Sequence, residues 1–277
     1  MKIDSHQHFW EFNPIRDAWI DDTMQVIRRD FMPKDLEPIL ELNGIDGCVA
    51  VQADQSETET AFLLDLALQY HFIKGVVGWV DILDKNLDVT LADYSKNPFF
   101  KAVRHIAQNE SDDFLQRDEV IKGISQLAEF GFGYDILIYA HQLPAAIELV
   151  NNLPKQAFVV DHIAKPKISE GLDEEWVSNM QTLATFPNVH CKISGMVTES
   201  NNYEWVESDF KKCIDVVVNS FGIERIMYGS DWPVCLIAAN YESQLDIVRN
   251  YFKGYSIIDQ EKVMGGNAIG FYNLDIS

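Results

Sequence analysis

The sequence predicts a (β/α)8 barrel, the TIM-barrel fold class, in which each of eight parallel strands is followed by a helix. The chain has 277 residues, close to the roughly 250 residues typical of one such barrel. Short apolar runs alternate with longer amphipathic runs, and parallel strands require crossover connections of that kind. No linker rich in proline, glycine or serine interrupts the pattern. We therefore expect one domain spanning residues 1–277.

The strands are predicted from short runs of apolar and β-branched residues bounded by polar segments. The first begins at Lys2, and the last ends at Tyr228. Eight such runs are present, which is the number that a closed barrel of this class needs. They are Lys2–His6, Asp46–Val51, Ile73–Val80, Phe100–Ile106, Tyr134–Ile138, Ala157–Val160, Val189–Ile193 and Arg225–Tyr228.

The helices are predicted from apolar residues that recur at three- and four-residue spacing, which is typical of a helix with one buried face. In the first of them, Ala61, Leu64 and Leu68 form one such stripe. The stretch from Trp10 to Phe31 has no clear period, and we interpret it as a long first loop. The predicted helices are Glu57–Tyr70, Glu119–Phe130, Leu143–Val150, Asp173–Thr185, Glu204–Phe221 and Tyr241–Tyr251.

An open, doubly wound sheet is the competing arrangement for alternating strands and helices. That fold commonly carries a G-x-G-x-x-G turn after its first strand, where backbone amides hold a phosphate. Here the corresponding place is occupied by Ser5-His6-Gln7-His8. We therefore favour the closed barrel.

The composition excludes several classes of partner. Acidic residues outnumber basic ones 43 to 22, for a net charge of −21, whereas nucleic-acid binding needs clustered lysine and arginine. No apolar run approaches the roughly 20 residues that span a bilayer. The first residues leave no room for a signal peptide, and the four cysteines form no C-x-x-C pair. We expect a cytoplasmic protein without nucleic-acid or membrane partners.

Histidines mark the ends of the predicted strands. His6 and His8 end the first, His105 the fourth and His162 the sixth, and the carboxyl ends of barrel strands surround the active site. A single histidine there is commonly structural. The pair His6 and His8 carries more weight, because alternation along a strand turns both imidazoles toward the same side.

Aspartates follow two of the apolar strands. Asp231 comes after the eighth strand and a small-residue break, where it could bind a cation, orient a water or take its proton; a turn aspartate is the alternative. In Asp161-His162, alternation sends the two side chains to opposite faces. We choose His162 as the inward one, because an inward aspartate would leave His162 in the apolar helix layer. Lys165 and Lys167 follow, and we expect them to be solvated.

Other polar and aromatic side chains are predicted near the same rim. Arg104 and His105 end the fourth strand, where one should point inward toward an oxygen-rich substrate. Rings can pack on the apolar face of a sugar-like molecule, although core filling is the usual role of tryptophan. A serine hydrolase is disfavoured because there is no G-x-S-x-G motif. The candidate substrate-contacting tryptophans are Trp10, Trp79 and Trp232.

With these motifs in place, the chain resembles the amidohydrolase superfamily, in the branch called amidohydrolase 2. The resemblance rests on His6-x-His8 and Asp231 together with IDSHQHFW, FKAVRHIAQNE, AFVVDHIAKP, CKISGM, MYGSDWPV and GNAIGFY. It covers nearly the whole chain and is closest to sugar-lactone hydrolases acting on L-fuconolactone or L-rhamnonolactone. It implies active-site roles for His6, His8, His162 and Asp231, and substrate contacts for Arg104 and His105.

One departure from the superfamily concerns metals. Its dinuclear members have a carboxylated lysine or a glutamate on strand four and a histidine on strand five. Here Lys101 lies too deep at the start of its strand, and His141 lies past the end of strand five. We therefore expect one divalent ion, zinc in type, or none. Its ligands would be His6, His8, His162 and Asp231.

The resemblance implies direct attack of water on a lactone carbonyl. Asp231 would take the proton, while an ion or the imidazoles would hold the developing oxyanion. A dicarboxylate substrate would need several arginine clamps, but only Arg104 ends a strand; Arg28 and Arg29 could reach in from the first loop. We therefore favour a neutral, hydroxyl-rich small-molecule lactone. The alternatives are a carboxylated lactone of the pyrone-dicarboxylate or muconolactone type, a decarboxylase and a non-enzymatic sugar-binding barrel.

Overall fold

The protein forms a closed (β/α)8 barrel. The computed structural model describes residues 1–168 and 171–276. Eight parallel strands pair in sequence order, and the ends of the predicted strands shift by only one or two residues. The observed strands are β1 (Ile3–Gln7), β2 (Gly47–Val51), β3 (Ile73–Gly78), β4 (Phe100–His105), β5 (Gly133–Ile136), β6 (Phe158–Val160), β7 (Val189–Ile193) and β8 (Ile226–Tyr228).

The barrel closes where β1 meets the segment after β8. The Asp231 amide donates a hydrogen bond to His6 O at 2.8 Å, and the His8 amide donates one to Trp232 O at 2.7 Å. This closure rules out the open, doubly wound sheet. It also brings the first and last functional motifs of the chain side by side.

A helix follows each strand. The six predicted helices are present, although residues 127–130 of the predicted fourth-strand helix form a separate 3₁₀ turn. Two helices between strands were not predicted: α1, which contains Pro38, and α3, which buries only Leu87 and Leu91. The helices are α1 (Pro33–Leu42), α2 (Glu57–Gln69), α3 (Leu87–Tyr94), α4 (Asp118–Ser125), α5 (Leu143–Asn152), α6 (Glu174–Ala184), α7 (Glu207–Phe221), α8 (Tyr241–Phe252), α9 (Ile257–Glu261) and α10 (Asn267–Phe271).

The barrel interior is apolar in the layer that packs against the C-terminal segment. Side chains from the strands contact Ala268, Tyr272 and Leu274, and all are buried. Above this layer the interior turns polar toward the carboxyl ends of the strands. The apolar layer therefore supports the functional site from below. The strand residues in it are Ile3, Val49, Val51, Val77, Ala102, Val159 and Met227.

The part of the chain that the structure describes contains no helix long and apolar enough to cross a membrane. The four cysteines are all buried and free.

Candidate active site

The predicted histidine pair lies at the mouth of the barrel. His6 and His8 are both buried, with ring centroids 5.0 Å apart. Their Nε2 atoms lie 3.8 and 3.3 Å from Asp231 Oδ1. The alternation argument for β1 therefore gives the right neighbours, even though the pairing of β1 with β2 shifts register between Asp4 and Gln7.

Asp231 reaches the imidazoles because its backbone leaves the strand direction. Its φ is +58°, a left-handed conformation that costs roughly 1 kcal/mol in a residue with a Cβ. Such conformations occur where surrounding structure holds them, often at functional sites. Here the hydrogen bond from the Asp231 amide to His6 O anchors the turn. The carboxylate thus faces the barrel mouth.

The prediction that only one of Asp161 and His162 points inward was wrong. Strand β6 ends at Val160, and the four residues from His162 to Lys165 all have positive φ. Strand alternation does not apply to such a turn. Asp161 Oδ1 lies 3.3 Å from His6 Nδ1, and His162 Nε2 lies 3.9 Å from Asp231 Oδ1.

The loop after β7 fixes the ring of His162. Its Nδ1 hydrogen-bonds Ser194 Oγ at 2.9 Å. Gly195 follows with a φ of +62°, and a Cβ at this residue would lie 2.5 Å from His162 Nδ1. Only glycine leaves the ring room in this position.

Burial controls the charges at the site. It lowers the pKa of His162 to about 4 and lowers that of His6 well below its usual value, so both imidazoles are neutral at neutral pH. Burial alone would raise the pKa of Asp231, but the neighbouring imidazoles, His162 foremost, outweigh it and hold that pKa below the usual range. Asp231 is therefore ionised at neutral pH.

A buried charged layer, which the sequence analysis missed, lies beneath the mouth. Lys192 Nζ of β7 lies 2.6 Å from Asp135 Oδ2 of β5 and 3.0 Å from Asp161 Oδ1. Arg104 Nη1 lies 3.2 Å from Asp161 Oδ2. Two cations thus balance two carboxylates around His6, whose Nδ1 is 3.1 Å from Lys192 Nζ. A lysine inside the apolar run of β7 was the available signal.

The mouth opens into a cavity of about 370 Å³. Of the predicted residues, His8, Arg104, His162 and Asp231 line it, and His6 lies just beneath. Part of the first loop and the loops after β4 to β8 complete the wall. The other lining residues are Trp19, Met24, Ala53, Ile106, Gln108, Asn109, Leu137, Tyr139, Lys165, Thr198, Glu199, Tyr203, Val234 and Ile237.

His105 and the three predicted tryptophans do not line this cavity, and their substrate contacts remain predictions. Trp10 and Trp232 are buried and pack edge-on against Phe31. Trp79 Nε1 lies 3.4 Å from His105 Nδ1, and His105 stacks on a neighbouring phenylalanine. Trp10 and Trp232 are therefore core residues, whereas Trp79 and His105 are partly exposed.

The first loop supplies a different tryptophan. Trp19 lines the cavity and was not singled out in the sequence, because the stretch from Trp10 to Phe31 has no period. The expectation that Arg28 and Arg29 could reach in was wrong, since neither lines the cavity; Arg28 pairs with Asp22 and Arg29 stacks on Phe31.

The donor set at the mouth fits a single divalent cation. His8 Nδ1 lies 2.7 Å from Val51 O, an acceptor, so this nitrogen carries the ring proton. If the ring carries no second proton, its Nε2 lone pair faces Asp231 Oδ1 at 3.3 Å. Two acceptors so close require a cation or a proton between them. In metal-binding histidines the second ring nitrogen is typically hydrogen-bonded, as Nδ1 of His8 is to Val51 O. The atoms offered by His6, His8 and Asp231 lie within 4.8 Å of one another.

A second ion has less favourable surroundings. Asp161, which lies with His6 and His162 in another candidate group, already faces the cations of Lys192 and Arg104. Lys101 lies deep, as predicted from its place at the start of β4, and bonds Asn273 O at 2.8 Å. His141 is exposed and pairs with a surface aspartate.

Comparison with known proteins agrees with this architecture. A family model described as amidohydrolase matches residues 3–274. A protein from Burkholderia ambifaria named L-fucono-1,5-lactonase is 34% identical, and the match covers 99% of this chain and 96% of that protein. A protein of the same name from Burkholderia multivorans is 32% identical with the same coverage.

A solved structure agrees as well. The crystal structure of an amidohydrolase from Burkholderia multivorans with bound zinc has a TM-score of 0.96 at 33% identity, covering 99% of this chain and 100% of that one. The matches in family, sequence and structure all run over almost the whole chain. The chain therefore belongs to the amidohydrolase family.

Proposed function

We propose that the protein hydrolyses a sugar lactone of the L-fucono or L-rhamnono type to the open-chain aldonic acid. The observation that carries this proposal is the convergence of His6, His8 and His162 on the Asp231 carboxylate at the barrel mouth. The full-length similarity to two proteins named L-fucono-1,5-lactonase supports the same substrate class.

Asp231 is the base in this proposal. It is ionised, it faces the cavity, and it can take a proton from a water that attacks the lactone carbonyl. The reaction needs no covalent nucleophile, which agrees with the free cysteines being buried. The imidazoles of His8 and His162 lie beside the Asp231 carboxylate, where they would orient the water and the carbonyl.

A divalent metal, zinc by analogy with the zinc-bound relative, would be held by His8, His162 and Asp231 together with His6. When bound, it would polarise the carbonyl and stabilise the charge that develops on its oxygen. His6 is the least free of these ligands, because Arg104 Nη1 lies 3.3 Å from its Nε2.

The cavity favours a neutral substrate. Arg104 is the one arginine among its described lining residues, and its guanidinium already contacts Asp161 and donates to Gln52 O. A dicarboxylate would need arginine clamps of its own. Apolar side chains such as Trp19 and Ile237 complete the wall, as suits the carbon skeleton of a deoxy sugar.

We also propose that the reaction takes place in the cytoplasm, as a step of carbohydrate metabolism. The chain has four buried cysteines that form no disulfide, as is typical of proteins in a reducing compartment.

The test is a pH-indicator hydrolysis screen over sugar lactones, with and without a chelator. The wild-type protein should release acid from a lactone of the L-fucono or L-rhamnono type. Asp231→Asn keeps the shape but loses the acceptor, so kcat should fall about 10²- to 10⁴-fold. Asp65→Asn, at an exposed position of α2, is the matched control and should keep full activity. Absence of acid release from every sugar lactone would overturn the proposal.

A further inference from the structure

Lys165 is directed into the cavity, contrary to the expectation that it would be solvated. It ends the left-handed turn after β6, with a φ of +47°, and lines the same cavity as Asp231 and His162. Only 17% of its side chain is exposed. A turn in this unusual conformation therefore brings a cationic group to the candidate active site.

The ammonium group of Lys165 has no hydrogen-bond acceptor among the residues that the structure describes. The nearest carboxylate oxygen, Glu199 Oε1, lies 3.9 Å away, beyond hydrogen-bond distance. Its other close neighbour is the ring of Tyr139, whose centroid is 5.4 Å from Nζ. These contacts hold the charge in place yet leave its three protons for an oxygen atom in the cavity.

Opening a lactone creates a need for such a proton. The ring oxygen leaves as an alkoxide, which is too basic to persist at neutral pH. Among the other cavity groups, Arg104 keeps its protons under all protein conditions, and the Nδ1 atom of His162 is already hydrogen-bonded to Ser194 Oγ. Lys165 is the nearby cation that can give a proton up.

We propose that Lys165 is the general acid of the reaction and protonates the leaving ring oxygen. This rests on the proposed lactone hydrolysis. Water attacks the carbonyl carbon and gives its proton to Asp231. The bond from this carbon to the ring oxygen then breaks, and the oxygen takes a proton from Lys165 Nζ. The new carboxylic acid loses its proton, one proton returns to Lys165, and Asp231 releases the other to solvent.

Glu199 has a supporting place in this arrangement. Burial raises the pKa of Glu199, and the nearby Lys165 opposes that rise. The Glu199 carboxylate oxygen lies 3.9 Å from Lys165 Nζ, and Glu199 lines the same cavity, so it holds the ammonium at the cavity wall. Glu199 is a positioning residue in this scheme.

The test compares a sugar 1,5-lactone with the thiolactone in which sulfur replaces the ring oxygen. A thiolate needs little protonation to leave, since a thiol such as cysteine has a pKa of about 8.5. Lys165→Met should lower kcat on the oxygen lactone by about 10²- to 10³-fold and on the thiolactone by less than about tenfold. Lys165→Arg keeps the charge but holds its proton, so it should behave like Lys165→Met.

Lys167→Met, on the exposed part of the same loop, is the control and should match wild type. Equal losses on both substrates, or recovery of oxygen-lactone activity in Lys165→Arg, would mean that Lys165 acts through its charge or through binding, and would overturn the proposal. Absence of lactone hydrolysis by the wild type would instead contradict the proposed function itself.

Discussion

Removing the buried lysine beneath the site should destabilise the whole barrel. Lys192 is fully buried, as are its partners Asp135, Asp161 and His6. Its Nζ lies 2.6 and 3.0 Å from the two carboxylates, so Lys192→Met leaves one buried negative charge without compensation. Breaking a buried ion pair in this way typically costs about 3–5 kcal/mol. In a chain of this size that corresponds to a melting temperature lowered by about 6–12 °C.

The stability lost in Lys192→Met should depend on pH. Burial raises the pKa of Asp135 to about 6 even beside Lys192, and loss of the cation would raise it further. Asp135 would then bind a proton on folding in Lys192→Met, so the variant should lose stability relative to wild type as the pH rises from 5 to 8. Because Asn cannot ionise, adding Asp135→Asn should recover at least about 2 kcal/mol at neutral pH.

Thermal unfolding followed by circular dichroism at several pH values measures these effects. Lys211→Met is the control, because Lys211 pairs with Asp215 on the surface and such pairs contribute at most about 1 kcal/mol. A loss below 1 kcal/mol for Lys192→Met, or a further loss on adding Asp135→Asn, would refute the assignment of a compensating charge to Lys192.

Three further predictions follow from the site and its supports. Gly195→Ala would place a Cβ 2.5 Å from His162 Nδ1; we expect lactonase kcat to fall at least about tenfold with the fold retained by circular dichroism, and full activity would contradict a fixed ring. Purified protein should bind at most about one zinc ion per chain by elemental analysis, and His8→Ala should lower that content; two equivalents would be inconsistent with the buried cations beside Asp161. Burial raises the pKa of Asp4 to about 6, above its unfolded value, so its contribution is favourable at low pH and is lost as the pH rises through 6. Relative to Asp4→Asn, wild type should lose about 3 kcal/mol of unfolding free energy between pH 4 and 7, and parallel pH profiles would exclude this.

Several features of the protein could be predicted from the sequence because they depend on local pattern. The alternation of apolar and amphipathic runs was enough to find all eight strands, and the spacing in His6-x-His8 was enough to pair two imidazoles. The position of Asp231 after an apolar strand identified the carboxylate they face. Helices α1 and α3 were not predicted, because α1 contains Pro38 and α3 buries only Leu87 and Leu91.

What the tertiary structure decided is which side chains meet across the barrel. Strand alternation assigns a side chain to one face of the sheet only within the strand. The left-handed turn after β6 therefore sets the directions of His162 and Lys165, which alternation cannot predict. Lys192 and Asp135 lie 57 residues apart, and they meet because strand order and register bring β5 and β7 to the same interior. Trp10 and Trp232 follow strands as predicted but fill the core, since the loop that reaches Phe31 folds over them. Contacts of this kind depend on closure of the whole barrel, which no local stretch of sequence encodes.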